Sequence, residues 1–138
     1  MASIYTAALM RHNAHPDYKY AMHDPSLTRE GVNPTCGDEL TLSLRIVDGI
    51  IEEAAFTGHG CAVSQASADM MADLIDGESV DEAKRLCSLF LRMVRGDTID
   101  AADRARLDEA AELESIAFMP ARVKCAELAW RTLEDALA

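Results

Sequence analysis

The sequence predicts an α+β fold, a small antiparallel β-sheet with helices packed on one face. Three observations carry this. Residues 40–46 alternate apolar and polar side chains, Asp48-Gly49 supplies a turn signal that brings the chain back as a second strand, and the residues beyond about 62 read at helical spacing. Strands grouped ahead of helices give a sheet covered on one side, whereas a parallel sheet needs strands and helices to alternate.

Residues 3–14 open with Ser3 as a cap and carry Ile4, Ala7, Ala8 and Leu9 as a rough helical stripe. Pro16 and Asp24-Pro25 then mark an irregular, polar surface stretch running to about Gly31. Leu40, Leu42, Leu44 and Ile46 share one face of a strand, with Thr41, Ser43 and Arg45 on the other. The return strand runs from Ile50 to Thr57, and turn length sets its register. A three-residue loop with Gly49 left-handed is the expected arrangement and puts Ile50, Ala54 and Phe56 on the leucine face. A two-residue loop would put Ile51, Glu53 and Ala55 there.

Gly58-His59-Gly60 breaks the strand, and a helix follows over about 62–75 with Val63, Ala66, Met70, Met71, Leu74 and Ile75 as its apolar positions. Gly77 closes it. The next helix opens on the capping box Ser79-x-x-Glu82 and continues through Leu86, Leu89, Phe90 and Met93 to Gly96. Residues 99–117 are rich in Ala, Asp and Glu and read as an exposed helix, ended by Met119-Pro120. Residues 122–137 form the last helix, burying Val123, Ala126, Leu128, Ala129, Trp130 and Leu133. No repeat or interdomain linker interrupts this order, and 138 residues suit one domain over 1–138.

Bulk properties exclude several classes of function. No apolar run reaches the roughly 18–20 residues that cross a bilayer, and the N-terminal residues show neither a basic n-region nor an apolar h-region. A cytoplasmic location is the default expectation. The formal charge is -11, with 24 acidic against 13 basic residues, which argues against nucleic acid as a partner because phosphate binding needs clustered Lys and Arg. Such acidity favours solubility and suits a docking partner with a basic patch.

Cysteines stand at positions 36, 61, 87 and 125, with no closely spaced pair, so a zinc ribbon or a ferredoxin is disfavoured. Cys87 lies mid-helix among apolar neighbours and reads as a small buried hydrophobe. The other three are expected at the starts of elements, where side chains from different elements meet at one rim. Cys36 sits in Asn33-Pro34-Thr35-Cys36-Gly37-Asp38; if that segment is extended, Cys36 and Asp38 project to the same side. Cys61 follows Gly58-His59-Gly60 at a helix start, where free N–H groups favour a thiolate. Cys125 begins the last helix beside Arg122 and Lys124, whose charges are expected to lower its pKa. Three thiolates and the Asp38 carboxylate make a tetrahedral set that suits Zn2+, or iron in a sulfide cluster. His59 competes with Asp38 for the fourth place. His12, His15 and His23 are expected on the surface or at partner contacts.

Three segments carry a family resemblance: Asn33-Pro34-Thr35-Cys36-Gly37-Asp38, Gly58-His59-Gly60-Cys61-Ala62-Val63-Ser64, and Arg122-Val123-Lys124-Cys125-Ala126-Glu127-Leu128-Ala129-Trp130. Together with His12-Asn13-Ala14-His15-Pro16, they resemble the signature segments of the IscU/NifU N-terminal family of iron–sulfur cluster assembly proteins, over nearly the whole chain. Lys124 stands where IscU-type scaffolds carry a histidine. The interval from Cys61 to Cys125 is also long, with residues 97–116 resembling the helical insertion of the SufU branch.

That resemblance implies an IscU/SufU-like fold and a zinc site of Cys36, Asp38, Cys61 and Cys125. It also implies partnership with a SufS-type cysteine desulfurase, whose persulfide sulfur is passed towards cluster-building machinery such as a SufBCD-type scaffold. The chemistry is sulfur relay rather than small-molecule catalysis. Cys36 is expected to be the sulfur acceptor, because its Pro- and Gly-flanked segment can move while helix starts fix Cys61 and Cys125. Arg122 is placed to stabilise the persulfide anion. The alternative is a scaffold on which a [2Fe–2S] cluster is assembled on the same ligands and then transferred; a purely structural metal in an acidic adaptor is a third reading.

Overall fold

The leucines of residues 40–44 form the middle of the sheet, and everything else is arranged about them. The computed structural model describes residues 5–138. Strands β1 (Leu27–Asn33), β2 (Asp38–Val47) and β3 (Ile50–His59) pair antiparallel in the order β1-β2-β3, so β2 is central. Helices α1 (Ala7–Ala14), α2 (Ala62–Ile75), α3 (Val80–Val94), α4 (Ala101–Leu107) and α5 (Pro120–Leu137) complete the α+β fold, with a 3-10 segment, Asp108–Phe118, between the last two. Leu40, Leu42 and Leu44 are buried on the helix side, opposite Gly58, Phe56 and Ala54 respectively. None of the described helices is long and apolar enough to cross a membrane.

The register of the hairpin differs from the expected one. The loop is the two-residue Asp48-Gly49, with φ 51° and 77°, the left-handed pair that matches strand twist. An irregularity beyond Arg45 and Ile46 then skips Glu52, so that Ala54 and Phe56 still reach the leucine face. Ile51 is buried in place of Ile50, which stays exposed. A bulge thus restores the alternation that a two-residue loop alone would invert.

Two further expectations fail for physical reasons. The stretch before Gly31 is not irregular throughout, because residues 27–33 form the edge strand β1. Thr28, Arg29 and Glu30 are exposed, so this strand shows no apolar alternation. Residues 99–117 are not one exposed helix: the backbone changes hand at Asp108, φ 50°, and continues as the 3-10 segment. Leu107, Ala110, Leu113 and Ile116 are all buried, and they recur at a strict interval of three. Residues three apart eclipse one another in a 3-10 helix, so this repeat makes one apolar stripe there but a drifting one in an α-helix. The segment packs against α3 and α5.

Helix α5 carries one of the cysteines and is pinned from two sides. Trp130 stacks on Phe90 of α3, with centroids 4.1 Å apart and planes 10° from parallel. Its indole N–H donates to Ser67 Oγ of α2 at 3.0 Å, and Ser67 donates to the Ala126 carbonyl at 2.7 Å. Cys87 is buried as expected and donates to the Trp130 carbonyl. Against the sheet, α5 approaches β1 over Gly31, where an added Cβ would stand 2.1 Å from Thr132 Oγ1. That hydroxyl is itself held to the Leu128 carbonyl at 2.7 Å.

The N-terminal helix is capped by Thr6, whose hydroxyl accepts from Leu9 N–H; the expected cap, Ser3, lies outside the described residues. His12, expected at the surface, is buried, while His15 and His23 are exposed as expected. Its Nδ1 lies 2.6 Å from Asp69 Oδ2 and its Nε2 2.8 Å from Glu109 Oε1. Only an imidazolium donates from both nitrogens, so two carboxylates on opposite sides of the ring favour the charged form. Burial opposes that charge, but the bonds to Glu109 and Asp69 outweigh it and raise the pKa. Tyr18 N–H also donates to Asp69, and Arg11 pairs with Glu109.

Gly31→Ala is expected to lose about 1–3 kcal/mol in urea denaturation, the usual penalty for overpacking. Adding Thr132→Ala should recover part of that loss, and an undiminished Gly31→Ala stability would show that α5 sits further from β1. For His12, the folded pKa lies above the unfolded one, so its stabilisation is complete below the unfolded pKa of about 6.5 and fades as pH rises through the folded value. His12→Ala is expected to lose about 3 kcal/mol at acidic pH, as for a broken buried ion pair. The gap to the native protein should narrow above neutrality when both are melted across that range.

Candidate metal centre

The three segments singled out in the sequence meet at one end of the sheet. Asp38 is the first residue of β2 and has no exposed surface. Cys36 lies in the turn joining β1 to β2, exposed, with its N–H on the Asn33 carbonyl at 3.3 Å and Gly37 left-handed at φ 72°. Cys36 and Asp38 are therefore brought together by a tight turn, the alternative to the extended segment of period two. Cys61 occupies the N-cap position of α2 without a side-chain capping bond, and it is half-buried. Cys125 is fully buried in the second turn of α5, which begins at Pro120 and not beside the cysteine.

The ligating atoms of Cys36, Asp38 and Cys125 all lie within 4.8 Å of one another. The Cys125 and Cys36 sulfurs are 3.3 Å apart. Cys61 is outside that group of three but borders it. Its backbone N–H donates to Asp38 Oδ1 at 2.9 Å, and its thiol is among the groups acting on Cys125. His59 points elsewhere. It pairs across the strands with Glu39, which alternation places on the face opposite Asp38, and its exposed ring lies 3.3 Å from the Glu39 carboxylate.

Burial pushes the Cys125 thiol pKa up, and the neighbouring thiols of Cys36 and Cys61 and the charge of Asp38 push it the same way. The expected lowering by Arg122 and Lys124 does not prevail. Lys124 is exposed, and the Arg122 guanidinium is favoured first by Tyr5 and then by Cys125 itself. In the protein alone, then, Cys125 is a thiol. Something with positive charge at the centre is needed to make it a thiolate.

The residues fit a small cation. Three acids are buried among the described residues: Asp38, Asp69 and Glu127. Asp69 faces His12, and Glu127 faces Arg95 at 2.7 Å and Arg131 at 3.7 Å. Asp38 alone of the three has no Lys, Arg or His paired with it; its hydrogen bonds come from the Cys61 N–H and from Asn33 Nδ2 at 3.3 Å. A buried carboxylate without a cation costs several kcal/mol, and a metal ion supplies the missing charge. Around tetrahedral zinc, sulfur and oxygen ligands stand about 3.5–3.8 Å apart, so the observed spread closes with movements under about 1 Å. Gly60 leaves the room, because a Cβ there would stand 2.5 Å from both Asp38 Oδ1 and Ser64 Oγ.

Asn33 is a contributor that the sequence did not single out, whereas Gly60 was expected to admit a close approach by backbone or a partner and admits the Asp38 side chain instead. Asn33 acts through its register opposite Asp38, which exists only because β1 forms. Gly60 carries a signal, a glycine one residue before a cysteine, but the atom it makes way for lies far back in the chain.

Comparison with known proteins places this geometry. Residues 4–88 match the family described as the NifU-like N-terminal domain. An iron–sulfur cluster assembly scaffold protein IscU of Thermotoga maritima is 38% identical over 134 residues, 97% of this chain and 92% of that protein. The zinc-dependent sulfurtransferase SufU of Bacillus subtilis is 35% identical over 136 residues, covering 99% of this chain and 90% of its own. Among solved structures, a protein of Fervidobacterium islandicum AW-1 assigned as a cluster assembly scaffold for the SUF system superposes with a TM-score of 0.91. It is 32% identical and covers 98% of this chain and 97% of that one. On these matches, the chain belongs to the NifU-like N-terminal domain family of IscU and SufU iron–sulfur cluster assembly proteins.

Proposed function

We propose that this protein binds zinc through Cys36, Asp38, Cys61 and Cys125 and accepts persulfide sulfur from a SufS-type cysteine desulfurase. The observation that carries the reading is the buried Asp38 carboxylate, paired with no cationic side chain and gathered with two thiols. Its likeness to the B. subtilis zinc-dependent sulfurtransferase supports the choice of metal and chemistry. Bound zinc keeps the thiols deprotonated at neutral pH.

The residues divide the work by exposure. Asp38 and Cys125 are fully buried and Cys61 is held at a helix N-terminus, so these three retain the ion. Cys36 is exposed on the turn and is the thiolate that leaves to react. It attacks the outer sulfur of the desulfurase persulfide, forming a new S–S bond on Cys36 as the desulfurase thiolate departs. Cys36 is left as a persulfide anion, and the Arg122 guanidinium beside Cys125 offsets its charge. The sulfur then passes towards a SufBCD-type scaffold. A cytoplasmic setting, where thiols stay reduced, suits this chemistry. Residues 97–116 read as a SufU-type insertion in one domain, fastened to the core by Arg106 on Glu82 and by the buried repeat from Leu107 to Ile116.

A second reading makes the same residues a scaffold for a [2Fe–2S] cluster, favoured by the scaffold name of the T. maritima relative and by a site open to solvent at Cys36. Two experiments separate them. Cys36→Ser protein mixed with desulfurase and 35S-cysteine should lose transfer at least about tenfold while keeping its fold, and full-rate labelling would remove Cys36 as the acceptor. Anaerobic reconstitution with iron and sulfide should leave stoichiometric zinc and no stable visible chromophore. A persistent chromophore would favour the scaffold.

A further inference from the structure

Asn33 ends β1 and stands opposite Asp38 in the β1–β2 register. Its side chain is buried, and Nδ2 donates to Asp38 Oδ2 at 3.3 Å while lying 3.9 Å from Cys125 Sγ. A primary amide nitrogen carries two N–H donors, so it can serve both atoms together. Cys36 receives neither. The other oxygen of Asp38 is fixed by the Cys61 N–H at 2.9 Å, so bonds from two different elements set the orientation of the carboxylate.

We propose that Asn33 is a positioning residue that clamps Asp38 and Cys125 to each other, so that both keep a bound cation while Cys36 is away from it. This deepens the sulfur-relay reading and rests on it for the identity of the leaving ligand. Four ligands confine one another by chelation, and the outer hydrogen bond then adds little order. When Cys36 leaves, three remain, and the aim of Asp38 depends on the amide that holds it. Partners in this outer position typically change metal affinity 10–100-fold. The clamp therefore predicts an effect that grows when Cys36 is removed, and two independent substitutions would not show that coupling.

The test uses four full-length proteins: native, Asn33→Leu, Cys36→Ala and the pair combined. Leucine fills the volume of the amide without a donor, and Asn33→Ala repeats the comparison should leucine disturb packing. Zinc affinity is read by competition with a chromophoric chelator, coordination by the visible bands of bound Co2+, and folding by melting the metal-free proteins. Asn33→Leu should weaken zinc about 10-fold in the native background and about 100-fold in Cys36→Ala. In the combined variant the cobalt bands should lose their four-coordinate intensity. Equal losses in both backgrounds, or none, would overturn the clamp and leave the relay standing, because 35S transfer is measured separately. Native protein that takes up neither metal would remove both.

Discussion

A carboxylate with no exposed surface and no cationic side chain paired to it is an expensive thing for a small fold to contain. Asp38 is that carboxylate, and the surrounding structure reads as what makes its position tolerable. One oxygen is capped by the free N–H at the start of α2 and the other by the Asn33 amide; the space it occupies exists because residue 60 has no side chain. Two neutral hydrogen bonds soften the desolvation of a charge without cancelling it. The remaining deficit is a positive charge, and the two sulfurs facing the same point are groups that a soft or borderline cation would bind.

Holding such a site requires that elements distant in sequence be held in register with one another. Helix α2 bears Cys61 and helix α5 bears Cys125, and Ser67 joins them by accepting from Trp130 and donating to Ala126. The stack of Trp130 on Phe90 extends the lock to α3. On the other side, Gly31 lets α5 come down on β1. Those constraints fix Cys61 and Cys125 through packed helices, whereas Cys36 is held only by a turn. The fold therefore holds the three thiols unequally, and the proposed division between retaining and leaving ligands rests on that difference.

Another buried ionic group involves none of the candidate metal ligands. His12 joins α1, α2 and the 3-10 segment through Asp69 and Glu109, and Asp69 also anchors the chain at Tyr18. Beyond Tyr18 the chain crosses the outer face of the sheet, where Tyr20 bonds Glu53 and Arg45 bonds the carbonyls of His23 and Asp24. Met22 and Ala55 are buried outside the main core. The helices cover one face of the sheet, and this stretch covers part of the other.

The α+β class, the leucine face of the central strand, the helices after residue 62, the burial of Cys87 and the grouping of Cys36 and Asp38 with Cys125 were legible in the sequence. Each rests on a local pattern: period two at 40–46, helical spacing, a capping box, glycines and prolines beside thiols. The strand β1 was not legible, because an edge strand with exposed Thr28, Arg29 and Glu30 has no apolar period to detect. The repeat of three from Leu107 to Ile116 was present in the sequence, but its interval suits a 3-10 segment and the acidic, Ala-rich composition around it reads as an exposed helix. The hairpin register was hidden because a bulge at Glu52 reverses the effect of the loop length. The sequence by itself determined which thiols and carboxylates are available and in what order, since residue types and their spacing are local facts. Only the tertiary structure decided that Asp38 and not His59 faces the thiols, that Cys125 is buried and Cys36 exposed, and that Asn33 belongs to the site. Those depend on strand register and helix packing, which are set by contacts between residues that no local window contains.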